Sequence, residues 1–269
     1  MKCSFVKFLI LMAIFASGTA SSQVANFSPP DLQKIDVVEK PGHHIPLDLT
    51  FQNDHGEVVP LSDYFHQDKP VVIVLAYYNC PMLCTLVLNG LTEAARQIRF
   101  SPGTDYTILT ISIDPRETVE LAAAKKENYV QSFGNENAAA GWSWFVGKED
   151  QSKELADSLG FVYYYDKEKD QYAHPAVLHI LTADGKISRY LYGIEFKPKD
   201  LELALLEASA GKIGNTVDRL VLYCFHYDPD AKGYVIVAEN IMKIGGALTV
   251  VLLSFFVAAL WIRNKTKGS

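Results

Sequence analysis

Positive charge, cysteine and internal repetition are all scarce in this chain of 269 residues. Its 25 lysines and arginines face 31 aspartates and glutamates, giving a formal net charge of −6. That balance leaves no basic face for a phosphate backbone and no polybasic stretch for an anionic lipid surface, so nucleic-acid binding is excluded. Only four cysteines are present, and Cys3 falls in an N-terminal leader. The odd remainder, Cys80, Cys84 and Cys224, is too sparse for a disulfide scaffold and is better explained by redox or metal chemistry. No internal repeat is visible.

Long apolar runs are confined to the two ends. Lys2 and Lys7 precede the run Phe8–Ala16, and Gly18-Thr-Ala20 supplies small residues for cleavage. A run this short cannot span a bilayer but suits an export signal, expected over 1–20. A polar linker, 21–42, follows. Near the other end Ile244–Ile262 carries no charge and is flanked by Lys243 and Arg263. At ~1.5 Å per residue it nearly matches a ~30 Å hydrocarbon core, which predicts a transmembrane helix over 243–263. The basic tail, 264–269, then stays cytoplasmic. The expected placement is single-pass in the inner membrane, with the globular part on the periplasmic side.

Between these ends the patterning alternates strand and helix. Leu47–Phe51 and Glu57–Leu61 flank Asn53-Asp-His-Gly56, a hairpin signal. Pro70–Ala76 is a short, β-branched run that suits a strand buried on both faces, and Met82–Ile98 follows with helical spacing. Tyr106–Ile113 and Val119–Phe133 repeat the order across the turn and cap Asp114–Thr118. Trp142–Val146 reads as a strand, Asp150–Leu159 as a helix, Ala176–Leu181 and Ile187–Tyr192 as a hairpin, and Pro198–Ala208 as a closing helix. Two strand–helix units followed by a hairpin and a helix give an α/β class, a thioredoxin-like α/β/α sandwich over 43–210 with a C-terminal transmembrane helix.

The chemistry concentrates at Cys80-Pro-Met-Leu-Cys84, where the first strand meets its helix. Free backbone N–H groups and the helix dipole favour a thiolate there, so Cys80 is expected to be the more acidic thiol. Cys84 lies about one turn on, close enough for a disulfide or a shared metal. Two thiolates suit Cu(I), and an added imidazole makes a site that also holds Cu(II). The candidate imidazole is His174, just ahead of the hairpin strand.

Taken together, Cys-Pro-x-x-Cys after an apolar strand, Ser112-Ile-Asp-Pro-Arg-Glu-Thr118 after the second strand, and His174 before a strand ending in Asp184-Gly185 resemble the Sco/SenC family over about 40–210. The resemblance implies Cys80, Cys84 and His174 as copper ligands. It also implies assembly of the dinuclear copper centre of cytochrome c oxidase as the process served, with the copper-bearing oxidase subunit as partner. Many family members carry an acidic residue between the cysteines and a proline after the second; here Met82-Leu83 and Thr85 stand in those places. Pro175 stands where thioredoxin-like oxidoreductases commonly carry a cis-proline, and the alternative function is thiol-disulfide exchange on cysteines of the oxidase or other exported proteins.

Other candidates have plainer readings beside the functional one. His179 packs in a strand or lies just outside the ligands, and His43-His44 are neighbours that point apart. Asp114 and Glu117 order the turn near the site, or Glu117 caps the next helix. Met82 offers a soft thioether but more often such a residue packs or meets a partner. In the juxtamembrane segment 211–242, Cys224 and His226 alternate, as an auxiliary copper site or as part of an aromatic surface.

Overall fold

In the computed structural model of the chain, the described residues are 35–65, 68–134, 140–209, 225–228, 233–236, 246 and 248–256. The expectations for 1–20, most of the linker and Cys224 lie outside them, as does the side chain of His226.

The strongest sequence signal becomes the centre of the sheet. β4 (Val71–Ala76) is buried at every position, and it pairs in parallel with β5 (Thr107–Ser112), equally buried. β5 pairs in parallel with β6 (Trp142–Val146). On the other side of β4 lies β10 (Val177–Leu181), antiparallel to it and to β11 (Ile187–Tyr192). The far edge is the early hairpin β2 (Thr50–Asn53) and β3 (Val58–Pro60), so the seven strands run β11-β10-β4-β5-β6-β2-β3. Strands covered on both faces need continuous apolar runs, which these sequences supply.

Four helices complete the layers: α1 (Leu83–Gln97), α2 (Val119–Phe133), α3 (Glu149–Leu159) and α4 (Pro198–Ala208). One face of the sheet packs Val72, Val74, Ile108, Trp142, Trp144, Leu178 and Ile180 against α1, α2 and α4. The opposite face packs Ile73, Leu75, Leu109, Ile111 and Phe145 against α3 and the N-terminal segment. Helix ends follow local chemistry. Thr118 precedes α2 and its hydroxyl accepts the Leu121 N–H at 3.4 Å. α3 stops at Gly160, φ 69°, where an added Cβ would sit 1.9 Å from the Val38 carbonyl oxygen.

Two short antiparallel ribbons were not evident from the sequence. β1 (Asp36–Val37) pairs with β7 (Phe161–Val162), tying the start of the domain to the end of α3. β8 (Tyr164–Asp166) pairs with β9 (Gln171–Ala173), and its turn is closed by the Asp166 carboxylate accepting N–H groups of Glu168 and Lys169. A further pair, β12 (Phe225–Asp228) and β13 (Gly233–Ile236), stands apart from the main sheet.

The C-terminal transmembrane helix is corrected by the structure. Among the described residues no helix is long and apolar enough to cross a membrane. Of the expected span, 246 and 248–256 are described and helical. The fold class is therefore mixed α/β, with no membrane-spanning helix among the described residues. Single-pass placement in the inner membrane, and membrane association through that helix, fall with it.

Candidate metal centre

The centre is built where the carboxyl ends of β4 and β5 meet the start of α1. After Ala76 the chain leaves the sheet through Tyr77-Tyr78-Asn79 and turns at Cys80-Pro81-Met82 into the helix. Helix starts leave N–H groups without partners. Here the Cys80 sulfur takes one of them, accepting the Cys84 N–H at 3.3 Å, while the Tyr77 N–H points at the Cys84 sulfur at 3.4 Å. Both sulfurs are thus held by backbone donors of the same turn.

Glu117, in the turn between β5 and α2, clasps this segment. Its carboxylate accepts the N–H groups of Tyr78 at 2.8 Å and Asn79 at 2.7 Å, and the Ser112 hydroxyl at 2.6 Å. Between the two readings of Glu117, geometry selects ordering of the cysteine turn, because Thr118 is the residue that caps α2. Burial raises the Glu117 pKa above the ordinary carboxylate value, opposed by those three hydrogen bonds. Asp114 instead holds Arg116, whose guanidinium also reaches Asp170 at 2.9 Å and lies over the Tyr165 ring. This links the turn after β5 to the β8–β9 ribbon.

That ribbon delivers the imidazole. His174 follows β9, is buried, and places Nε2 3.0 Å from the Cys84 sulfur. Its Nδ1 lies 2.9 Å from the Pro175 carbonyl oxygen. With the proton assigned to Nδ1, as that acceptor requires, the Nε2 lone pair faces the thiols. Phe161 stacks on the ring at 5.9 Å and Tyr77 meets it edge-on at 6.0 Å, fixing its plane. The donor atoms of Cys80, Cys84 and His174 all lie within 4.8 Å of one another. Both thiols are free, and the His174–Pro175 bond is trans, since the described residues contain no cis peptide.

The two sulfurs have opposite electrostatics. Cys80, half-buried, is lowered well below the ordinary thiol value, first by the hydrogen bond from the Cys84 thiol and also by the backbone N–H groups of the turn, against the cost of burial. Cys84 is pushed far above the ordinary thiol value, chiefly by burial and then by the neighbouring Cys80 sulfur. The metal-free pair therefore keeps one proton, on Cys84.

The other candidate histidines among the described residues lie elsewhere. His43 and His44 are exposed, and His44 sits 3.2 Å from the Asp184 carbonyl oxygen. His179 is fully buried in β10 between Phe161 and Tyr190. Sequence reasoning missed Phe161, Tyr77 and Ser112 as supports of the site. The aromatic run Phe161–Tyr165 before the turn at Asp166 was the available signal for the first.

The SCO1/SenC family model matches residues 39–207, more than half of the chain. The chain belongs to the SCO1/SenC family. Among relatives, a SCO1 protein homolog of Bacillus subtilis is 24% identical over 155 residues, covering 56% of this chain and 76% of the relative. The SCO1/SenC fold recurs in a putative electron transfer protein of Aquifex aeolicus, with TM-score 0.57 and 22% identity over 64% of this chain and 96% of that one. Arabidopsis thaliana ScoI with copper bound is also similar, with TM-score 0.49 and 20% identity over 63% of this chain and 98% of that one. The mixed α/β, thioredoxin-like Sco architecture is shared with the Aquifex protein.

Proposed function

We propose that this chain binds copper through Cys80, Cys84 and His174 and passes it to the copper-bearing subunit of cytochrome c oxidase, serving assembly of its dinuclear centre. The observation that carries this reading is the convergence of two thiols and an imidazole from separate chain segments within 4.8 Å, one of the thiols reaching solvent. The donor set fits the cargo: two thiolates satisfy Cu(I), and the imidazole lets the same site hold Cu(II). SCO1/SenC membership supports the process served.

The geometry supports an order of events. Cys80 is already a thiolate and half-exposed, so it meets the incoming ion first. Cys84 then loses its proton and closes on the ion, with His174 Nε2 as third donor. Loading therefore releases a proton, and affinity rises with pH because the proton on Cys84 competes with copper. Unloading reverses the order, the acceptor's ligand displacing the buried donors through the open Cys80 side.

A second reading is favoured by one observation. An acidic, half-exposed Cys80 backed by a buried Cys84 is also what a thiol-disulfide oxidoreductase needs in attacking and resolving thiols. Copper titration of the reduced full-length chain separates the two. One copper per chain, abolished in Cys80→Ser/Cys84→Ser and weakened at least about tenfold in His174→Ala, is expected for the copper reading. A reduced chain that binds no copper tightly, yet exchanges disulfides equally well with and without His174, overturns it.

A further inference from the structure

Met82 stands out because it lies between the two cysteines yet is not packed. The full sequence has four methionines, at positions 1, 12, 82 and 242, so Met82 is the only one within residues 34–209. Methionine normally fills irregular gaps in a core. This one is 65% exposed and belongs to neither core cluster, although it sits between the two cysteines of the metal centre.

Its backbone, by contrast, is held. Met82 is the cap residue of α1 with φ −151° and ψ −65°, and its carbonyl accepts the Leu86 N–H at 3.1 Å. A fixed backbone beside Cys80 with a free, unbranched thioether reaching solvent is a tethered soft donor. Cys84 and His174 are 2% and 3% exposed while Cys80 is only part-buried, so the site reaches solvent on the Cys80 side, two residues before Met82 in the chain.

We propose that Met82 is a further sulfur ligand for Cu(I), engaged on the open side of the site while the ion is loaded and handed over. The proposal rests on the copper reading above. A thioether is neutral and needs no deprotonation, so it adds a bond without adding charge, and its softness favours Cu(I) over Cu(II). When an acceptor's ligand displaces His174 or Cys84, the Met82 sulfur keeps the departing ion coordinated. No electron changes hands in this exchange; one Cu–ligand bond forms as another breaks.

The test uses the reduced full-length chain, labelled with selenomethionine and loaded with one equivalent of Cu(I). X-ray absorption at the selenium edge is expected to show a Se–Cu contact that disappears in Met82→Leu, a substitution that keeps size and apolarity. Competition with bicinchoninate is expected to show Cu(I) affinity lowered about tenfold in Met82→Leu, with Cu(II) affinity unchanged. Copper bound through sulfur and nitrogen alone, with equal Cu(I) affinities in parent and variant, overturns the role of Met82 and leaves the copper reading standing. A parent chain that takes up no copper overturns both.

Discussion

The two faces of the sheet are covered by different means. One is roofed by α1, α2 and α4 over a cluster of large apolar side chains, including the stacked pair Trp142 and Trp144. The other is closed by α3, the segment from Val37, and the short ribbons around Phe161 and Tyr172, and it takes in Cys80, Cys84 and several tyrosines. The helical face gains stability from regular packing of large side chains. The ribboned face holds polar and reactive groups, because loops and two-residue strands can bring donors from distant positions to one point while leaving one side open. Stability and chemistry are thus divided between the faces, and substitutions can probe that division.

The largest expected effect is on the helical face. Leu205 is fully buried on α4, so Leu205→Ala should lose about 3 kcal/mol of unfolding free energy in chemical denaturation. The folded fraction should keep the parent's copper affinity. A loss of affinity there would show that the faces are coupled.

On the ribboned face, His179 tests the cost of polar burial. Its Nε2 has no hydrogen-bond partner, its Nδ1 is 3.3 Å from the Ile73 carbonyl oxygen, and burial lowers its pKa to about 4. Between the unfolded value of ~6.5 and about 4, the unfolded chain binds a proton that the native chain does not. This contribution to stability is therefore complete above pH 6.5, falls as the pH drops towards 4, and levels off below, a total of roughly 3 kcal/mol. His179→Phe should flatten the pH dependence of denaturation midpoints over that range. An unchanged profile would show that other groups set it.

Glu117→Gln reverses the expectation for Leu205. The amide keeps the shape of the carboxylate but offers only one acceptor oxygen where the N–H groups of Tyr78 and Asn79 and the Ser112 hydroxyl now converge. Stability should fall by only about 1–2 kcal/mol. Copper affinity should fall about tenfold, as happens when groups that orient ligands are altered, and titration reads it. A stability loss with unaltered copper binding would make Glu117 a structural residue alone.

Much of this arrangement was legible in the order of residues. α2, β6 and α4 occupy the ranges their patterns predicted, because a threonine cap, a short apolar run and a proline helix start are local signals. The uncharged C-terminal run predicted a spanning helix that the described residues do not contain, because apolarity measures preference for hydrocarbon and not the extent of a helix. Glu117 illustrates a different limit. Its type suited a cap, yet its carboxylate crosses from the end of β5 to the turn after β4, a pairing no window along the chain contains.

By itself, then, the sequence determined the alternation of strands and helices, the acidic character of the chain, and the choice of two thiols at a helix start as the seat of chemistry. Local periodicity and donor type are properties of neighbouring residues. Only the tertiary structure decided that His174, 90 positions beyond Cys84, brings Nε2 to 3.0 Å from that sulfur, that one thiol is buried and the other open, and that Met82 faces solvent beside them. Those outcomes depend on how β4, α1 and the β8–β9 ribbon pack, and burial and electrostatics exist only once they have packed.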